Sequence, residues 1–155
     1  MMRWPFQGKA PPPESFPVGQ YKLDGSIEGL VGLIEFSPNE YAAIGRQFVG
    51  EKDYNALPIT FLGRPWEVMV QAVRGRICAI APYLLLADSR DADRIVMETF
   101  QYCVGQLGKP AERKADFFLW RVSDGSVILK TEETADGLRI GLFLTSSSMP
   151  NLQRL

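Results

Sequence analysis

The sequence predicts an α+β fold: an antiparallel β-sheet of about six or seven strands in meanders, with one long helix packed on one face and a shorter second helix. From Ala92 to Leu107 apolar residues recur at steps of three and four, which gathers them on one stripe of a helix. Residues 66 to 73 and 138 to 144 alternate between apolar and polar positions, the period of a half-buried strand. Arg74-Gly75 and Asp124-Gly125 follow or precede such runs and are suited to tight hairpin turns.

Taken in order, residues 1 to 20 hold Pro5, Pro11, Pro12, Pro13 and Pro17, which block helix and sheet and predict an extended N-terminal arm. Trp4, Phe6 and Phe16 are expected to fold back onto the domain, which spans 21 to 147 and is followed by a tail at 148 to 155. Residues 30 to 36 read as a strand, with Gly29 and Gly32 allowing a bulge. Ser37, Pro38 and Glu40 form a capping box with proline at the first helical position. The short helix then runs to about Val49, with Tyr41, Ile44 and Phe48 inward and Gly50 ending it. Residues 51 to 58 show no period and read as a contact-capable loop. Ile59 to Leu62, Trp66 to Val73 and Arg76 to Ala81 make a three-strand meander.

The long helix is expected from about 90 to 107, capped by oxygens of Asp88, Ser89 and Asp91, and is roughly 27 Å long. Its stripe is Ala92, Ile95, Val96, Thr99, Phe100, Cys103, Val104 and Leu107, with Arg94, Glu98 and Gln101 opposite. Gly108 and Pro110 stop it. Lys109 to Ala115 connects to strands at 117 to 123, 126 to 131 and 138 to 144, the last after a turn at 135 to 137. Each helix is thus followed by three strands, a layout that suggests duplication, although Trp66 and Trp120 stand at different distances from their turns.

Composition narrows the chemistry. A net charge of −1 gives no general attraction to phosphate backbones, so no nucleic-acid partner is expected. The chain has no histidine, which removes Ser-His and Cys-His catalysis and imidazole metal ligation. Cys78 and Cys103 are too few for a zinc site and are expected to be free thiols. The longest apolar run, Ile77 to Ala87, is too short to span a bilayer, and the N-terminus has no apolar run to serve as a secretory signal, so a cytoplasmic protein with no membrane association is expected.

Asp88, Asp91 and Asp93 around Arg90 read as helix-start acids, since the spacing is not that of a calcium loop. Gly25 to Gly32 runs into a strand and so lacks the geometry of a phosphate loop. Arg64, Trp66, Arg74 and Arg76, with Trp120 and Arg121, could form an aromatic-basic contact surface, although both tryptophans fit core positions better. Nothing in the spacing brings Tyr83, Tyr102 and Lys109 together as acids or bases.

Leu107-Gly108-Lys109-Pro110, Phe117 to Trp120, Asp124-Gly125, and Leu138 to Leu144 ending in Thr145-Ser146-Ser147 give a layout that resembles small bacterial inhibitor and immunity-type domains. The resemblance covers about residues 59 to 147, and no functional residue carries over from it. It implies binding of a partner protein, a toxin or other effector, by loops or a sheet face. The expectation is a non-enzymatic protein-binding module, monomer or homodimer, with no cofactor and no metal. Asp53, Tyr54, Arg64, Arg74, Glu132 and Glu133 are the candidate contacts. The alternatives are a secretion chaperone or adaptor and a small-ligand or carboxylate-dependent enzyme domain.

Overall fold

The structure, a computed structural model, describes residues 11–44 and 50–148. Trp4, Phe6, Phe48, Val49, the tail beyond residue 148 and the side chains of Ile44 and Ser89 lie outside the described residues. The elements are β1 (Ile34–Glu35), α1 (Pro38–Ile44), β2 (Glu51–Phe61), β3 (Arg64–Val73), β4 (Arg76–Leu86), a 3-10 turn (Ser89–Asp91), α2 (Ala92–Leu107), β5 (Glu112–Arg113), β6 (Phe117–Val122), β7 (Gly125–Thr134) and β8 (Gly137–Ser146). The strands form one antiparallel sheet of eight, rather than six or seven, in the order β1-β2-β3-β4-β8-β7-β6-β5. Both edge strands are two residues long, too short for the sequence pattern to signal.

Three local expectations are corrected. Residues 51 to 58 are not a loop but the first part of β2, which pairs with β3 from Glu51↔Val73 to Phe61↔Arg64 across a shift between Ala56 and Ile59. That shift contains Pro58, which cannot donate to a ladder and is tolerated at an irregularity. The strand expected over 30 to 36 shrinks to Ile34–Glu35. The long helix begins at Ala92 after the 3-10 turn, and Asp91 makes no side-chain capping bond, while Asp88 Oδ1 accepts the Arg90 N–H at 2.8 Å.

Three strands run longer than read, β4 to Leu86, β7 to Thr134 and β8 to Ser146, while the capping box is formed as read. The Ser37 N–H donates to Glu40 Oε1 at 2.9 Å and the Glu40 N–H to Ser37 Oγ at 3.2 Å, the reciprocal capping box. Glu40 Oε2 also accepts from Asn55 Nδ2 at 2.8 Å, tying α1 to β2. The amide of Ser37 and the amide of Asn55 together hold the Glu40 carboxyl below its ordinary range. Leu62-Gly63 and Arg74-Gly75 have positive φ at both positions, as two-residue hairpin turns between twisted strands require. Among the described residues no helix is long and apolar enough to cross a membrane.

Register assigns the faces. One face carries Val68, Val70, Ile80, Leu144, Val127, Leu129, Ile140 and Leu142, all buried, with Trp66 and Trp120 at 0% and 1% exposure. Helix α2 covers it through Ala92, Ile95, Thr99, Cys103 and Leu107. Phe16, Val18, Tyr21 and Leu23 cover the rest, so the described part of the N-terminal segment packs on the domain. Trp120 Nε1 donates to the Gly108 carbonyl at 2.8 Å, fixing the end of α2 against β6. Among the described residues no helix lies across the centre of the opposite face, and that is where the candidate site lies.

Candidate functional site

On the open face β4 and β8 pair in a constant register, from Ala79↔Thr145 and Ile80↔Leu144 to Tyr83↔Gly141 and beyond. The pairing skips Ala81 and Pro82 opposite Leu142 and Phe143. Proline has no N–H to give, so a proline in a central strand breaks the ladder at that point. One residue on, Gly141 leaves the space above the sheet empty between Tyr83 and Lys130, its pairing neighbours in β4 and β7. The result is a groove of about 360 Å³ lined by Met69, Ala81, Tyr83, Ile128 and Phe143, with Lys130, Glu132 and Arg139 at its polar end. Phe143 is 40% exposed and Leu85, on the same face, 46%.

The polar end is unevenly satisfied. Arg139 Nη1 lies 3.5 Å from Glu132 Oε1, and its guanidinium carbon stands 5.0 Å from the centre of the Tyr83 ring. Its Nε is buried with no hydrogen-bond partner. Lys130 makes no ion pair among the described residues. Burial and the charge of Glu67 push the Tyr83 hydroxyl above its ordinary value, so it stays neutral and able to donate. The groove therefore combines apolar walls with an exposed lysine and a partly exposed guanidinium at one end, an arrangement complementary to an apolar group that carries a carboxylate.

No protein-family model, curated protein or solved structure matches this chain.

At the β2 end of the same face, Glu51 and Asp53 are buried at 3% and 7% exposure, two positions apart on one side of the strand. Gln71 Nε2 donates to both, at 2.8 Å to Glu51 Oε2 and 3.0 Å to Asp53 Oδ1. The Asp53 N–H donates to the Tyr41 hydroxyl oxygen at 2.9 Å, and Asp53 Oδ2 is buried with no partner. Burial first, and the neighbouring Glu51 carboxyl second, push Asp53 up to about 7. Cys78 is the extra residue where the β3–β4 register shifts, with Sγ 3.4 Å from the Gln71 carbonyl oxygen. Cys78 and Cys103 are free and buried, and burial pushes each up to about 12, so neither is a thiolate nucleophile near neutral pH. Among the described residues no group of three or more Cys, Asp or Glu side chains is placed to hold a metal ion.

The six contact candidates are scattered. Tyr54 faces the core beside Val70, and Asp53 is enclosed as described, so neither side chain is presented to solvent. Arg64 turns toward α2, 3.9 Å from Glu98. Arg74 occupies a hairpin turn at positive φ and is exposed, with its N–H on the Gly50 carbonyl. Glu133 is exposed near the end of β7. Glu132 alone among the six lines the groove. Met69, Tyr83, Lys130, Arg139, Gly141 and Phe143 were not singled out as contacts by the sequence, and their one local trace is the polar or small residue between the apolar positions of β8.

Proposed function

We propose that this chain is a non-enzymatic protein-binding module whose contact surface is the open face of the sheet. It grips a partner segment that sets an apolar side chain over Gly141 and a carboxylate against Lys130 and Arg139. A bacterial immunity or inhibitor protein that neutralises an effector is the form of this reading that the layout suggests. The observation that carries it is the apolar groove on the open face of the sheet, with Lys130 and Arg139 at its polar end. A partner's carboxylate against Lys130 and the accessible end of the Arg139 guanidinium would make charge-assisted hydrogen bonds. Apolar surface rimmed by charge is also the usual anatomy of a protein contact.

The edges of the sheet are a poorer place for contact. Short strands and the charges of Glu35, Glu112 and Arg113 are devices that discourage strand addition. The test is co-expression with neighbouring gene products, followed by binding measurements on groove variants. A Cβ at Gly141 would lie 3.5 Å from the Pro82 carbonyl oxygen and the Tyr83 Cβ, an ordinary contact, so Gly141→Leu fills the groove while the backbone tolerates the change. Gly141→Leu and Lys130→Glu are each expected to weaken the partner at least about tenfold, the loss of one buried apolar or charge-assisted contact. Arg74→Glu, at a distant turn, is expected to leave it unchanged. A partner whose affinity is indifferent to both groove variants would overturn the reading.

A further inference from the structure

On the open face, the residues that flank the seam between β4 and β8 follow a self-complementary order. One row across the sheet runs Glu67, Tyr83, Gly141 and Lys130, from β3 through β4 and β8 to β7, each paired with the next. The row two residues along runs Met69, Ala81, Phe143 and Ile128, where Met69 pairs with Ala81 and Phe143 with Ile128, and Ala81 stands opposite Phe143 in the interrupted stretch. Each row thus sets a ring beside a small residue across the seam. The ring is on β4 in the first row and on β8 in the second.

A half-turn about an axis parallel to the strands, above that seam, turns such a face onto a second copy of itself. Strand β4 then lies over β8 of the other copy and β3 over β7, while each row stays over its own counterpart. Tyr83 meets the open place at Gly141 and Phe143 meets Ala81, so each ring faces a small residue. At the flanks Glu67 faces Lys130, and Met69 faces Ile128. Every contact occurs twice, as an isologous interface requires. Glu67 and Lys130 are both exposed and make no ion pair among the described residues. Within one chain they stand three strand spacings apart, roughly 14 Å, too far to touch. Phe143 and Leu85, at 40% and 46% exposure, give the face apolar surface to bury.

We propose that the open face pairs with a second copy of this chain, sheet against sheet, about a two-fold axis above the β4–β8 seam. Such pairing rests on the reading that this face is a contact surface, and it names one occupant. A second copy supplies an aromatic side chain over Gly141 and a carboxylate, that of Glu67, at Lys130. The patch, four strands by the seven residues from Ala79 to Leu85, is roughly 20 Å on a side. That is the small end of specific interfaces, so the dimer is reversible, with a Kd on the order of 10–100 µM. The short, charged edge strands disfavour the alternative of edge-to-edge pairing.

The experiment is sedimentation of the full chain over about 1–500 µM, a range that brackets this Kd. A monomer–dimer equilibrium is expected. Glu67→Lys and Lys130→Glu each set like charges against one another at both flanks, and each is expected to weaken the dimer about tenfold or more with an unchanged circular dichroism spectrum. An equimolar mixture of the two variants restores opposite charges at both flanks. It is expected to form a heterodimer about as tight as the parent dimer, which only contact between copies can produce. A parent chain that stays monomeric, a dimer that both reversals leave unchanged, or a mixture that stays monomeric would each overturn the pairing. Should a reversal fail to fold, Phe143→Ala gives the comparison: the same weakening is expected, and an unchanged dimer would overturn the pairing. A monomeric parent leaves the partner reading standing. A restored heterodimer beside a partner indifferent to Gly141→Leu and Lys130→Glu overturns the partner reading alone.

Discussion

Asp53 gives its two oxygens unequal surroundings: Oδ1 accepts from Gln71 at 3.0 Å, and Oδ2 is buried without a partner. A charged carboxylate in that position would lose its hydration on one side and face the Glu51 carboxyl, which is why its proton is held to about pH 7. An unfolded aspartate titrates near about 3.9. Between those values the folded state binds more protons than the unfolded chain, so stability falls as pH rises through that window and levels off above it. Asp53→Asn keeps the shape and removes the charge. It is expected to flatten the fall in melting temperature between about pH 4 and 7 and to stabilise the protein at the upper end by roughly 2–4 kcal/mol. Chemical denaturation of both proteins across that range checks it, and a variant that stays parallel to the parent would place the strain elsewhere.

Individual elements differ in how far their residues announced them. The stripe of α2 and the alternation in β3 and β8 were legible because each buries one apolar side, and burial follows the period of the backbone. Strand β2 was hidden because its pattern is reversed: it buries Glu51 and Asp53 on the open face and carries Pro58, so local polarity read as a loop. Its hydrogen-bonded partners lie about twenty residues away, at Gln71 and in β3, beyond the reach of any local rule. The groove was hidden for the same reason, since it arises where Tyr83 on β4 and Gly141 on β8 pair across the sheet, one residue from Pro82. The N-terminal segment was read more fully: Phe16 is 7% exposed and packs edge-on against Tyr102 at 5.6 Å, while Tyr102 in turn meets Phe61 at 5.0 Å. This places Phe16 in a chain of rings joining the segment, α2 and β2. Phe16→Ala is expected to cost about 3–5 kcal/mol, a core-sized loss that a loose arm would not show, measured as a shift in the urea midpoint at constant slope.

At the scale of the whole molecule the sheet order is that of two meanders meeting back to back. A half-turn about an axis between β4 and β8 exchanges β4 with β8, β3 with β7, β2 with β6 and the short β1 with the short β5. The strand order of the two halves is thus repeated, while the helices are not, since α1 lies between β1 and β2 and α2 before β5, and Trp66 lies on the second long strand of its half and Trp120 on the first of the other. Two such halves could in principle unfold separately, but here they share one core: Ile80 and Val70 of one half belong to the same buried cluster as Leu129 and Leu144 of the other. The two tryptophans report on the halves individually. In single-tryptophan proteins made by replacing Trp4 and either Trp66 or Trp120 with Phe, Leu129→Ala is expected to cost about 2–5 kcal/mol. Because removing a methyl cluster from a shared core weakens every element that packs on it, the fluorescence of Trp66, in the other half, should shift its midpoint as far as that of Trp120. Separate midpoints would mean that the β4–β8 seam, already interrupted at Pro82, divides the protein into two cooperative units.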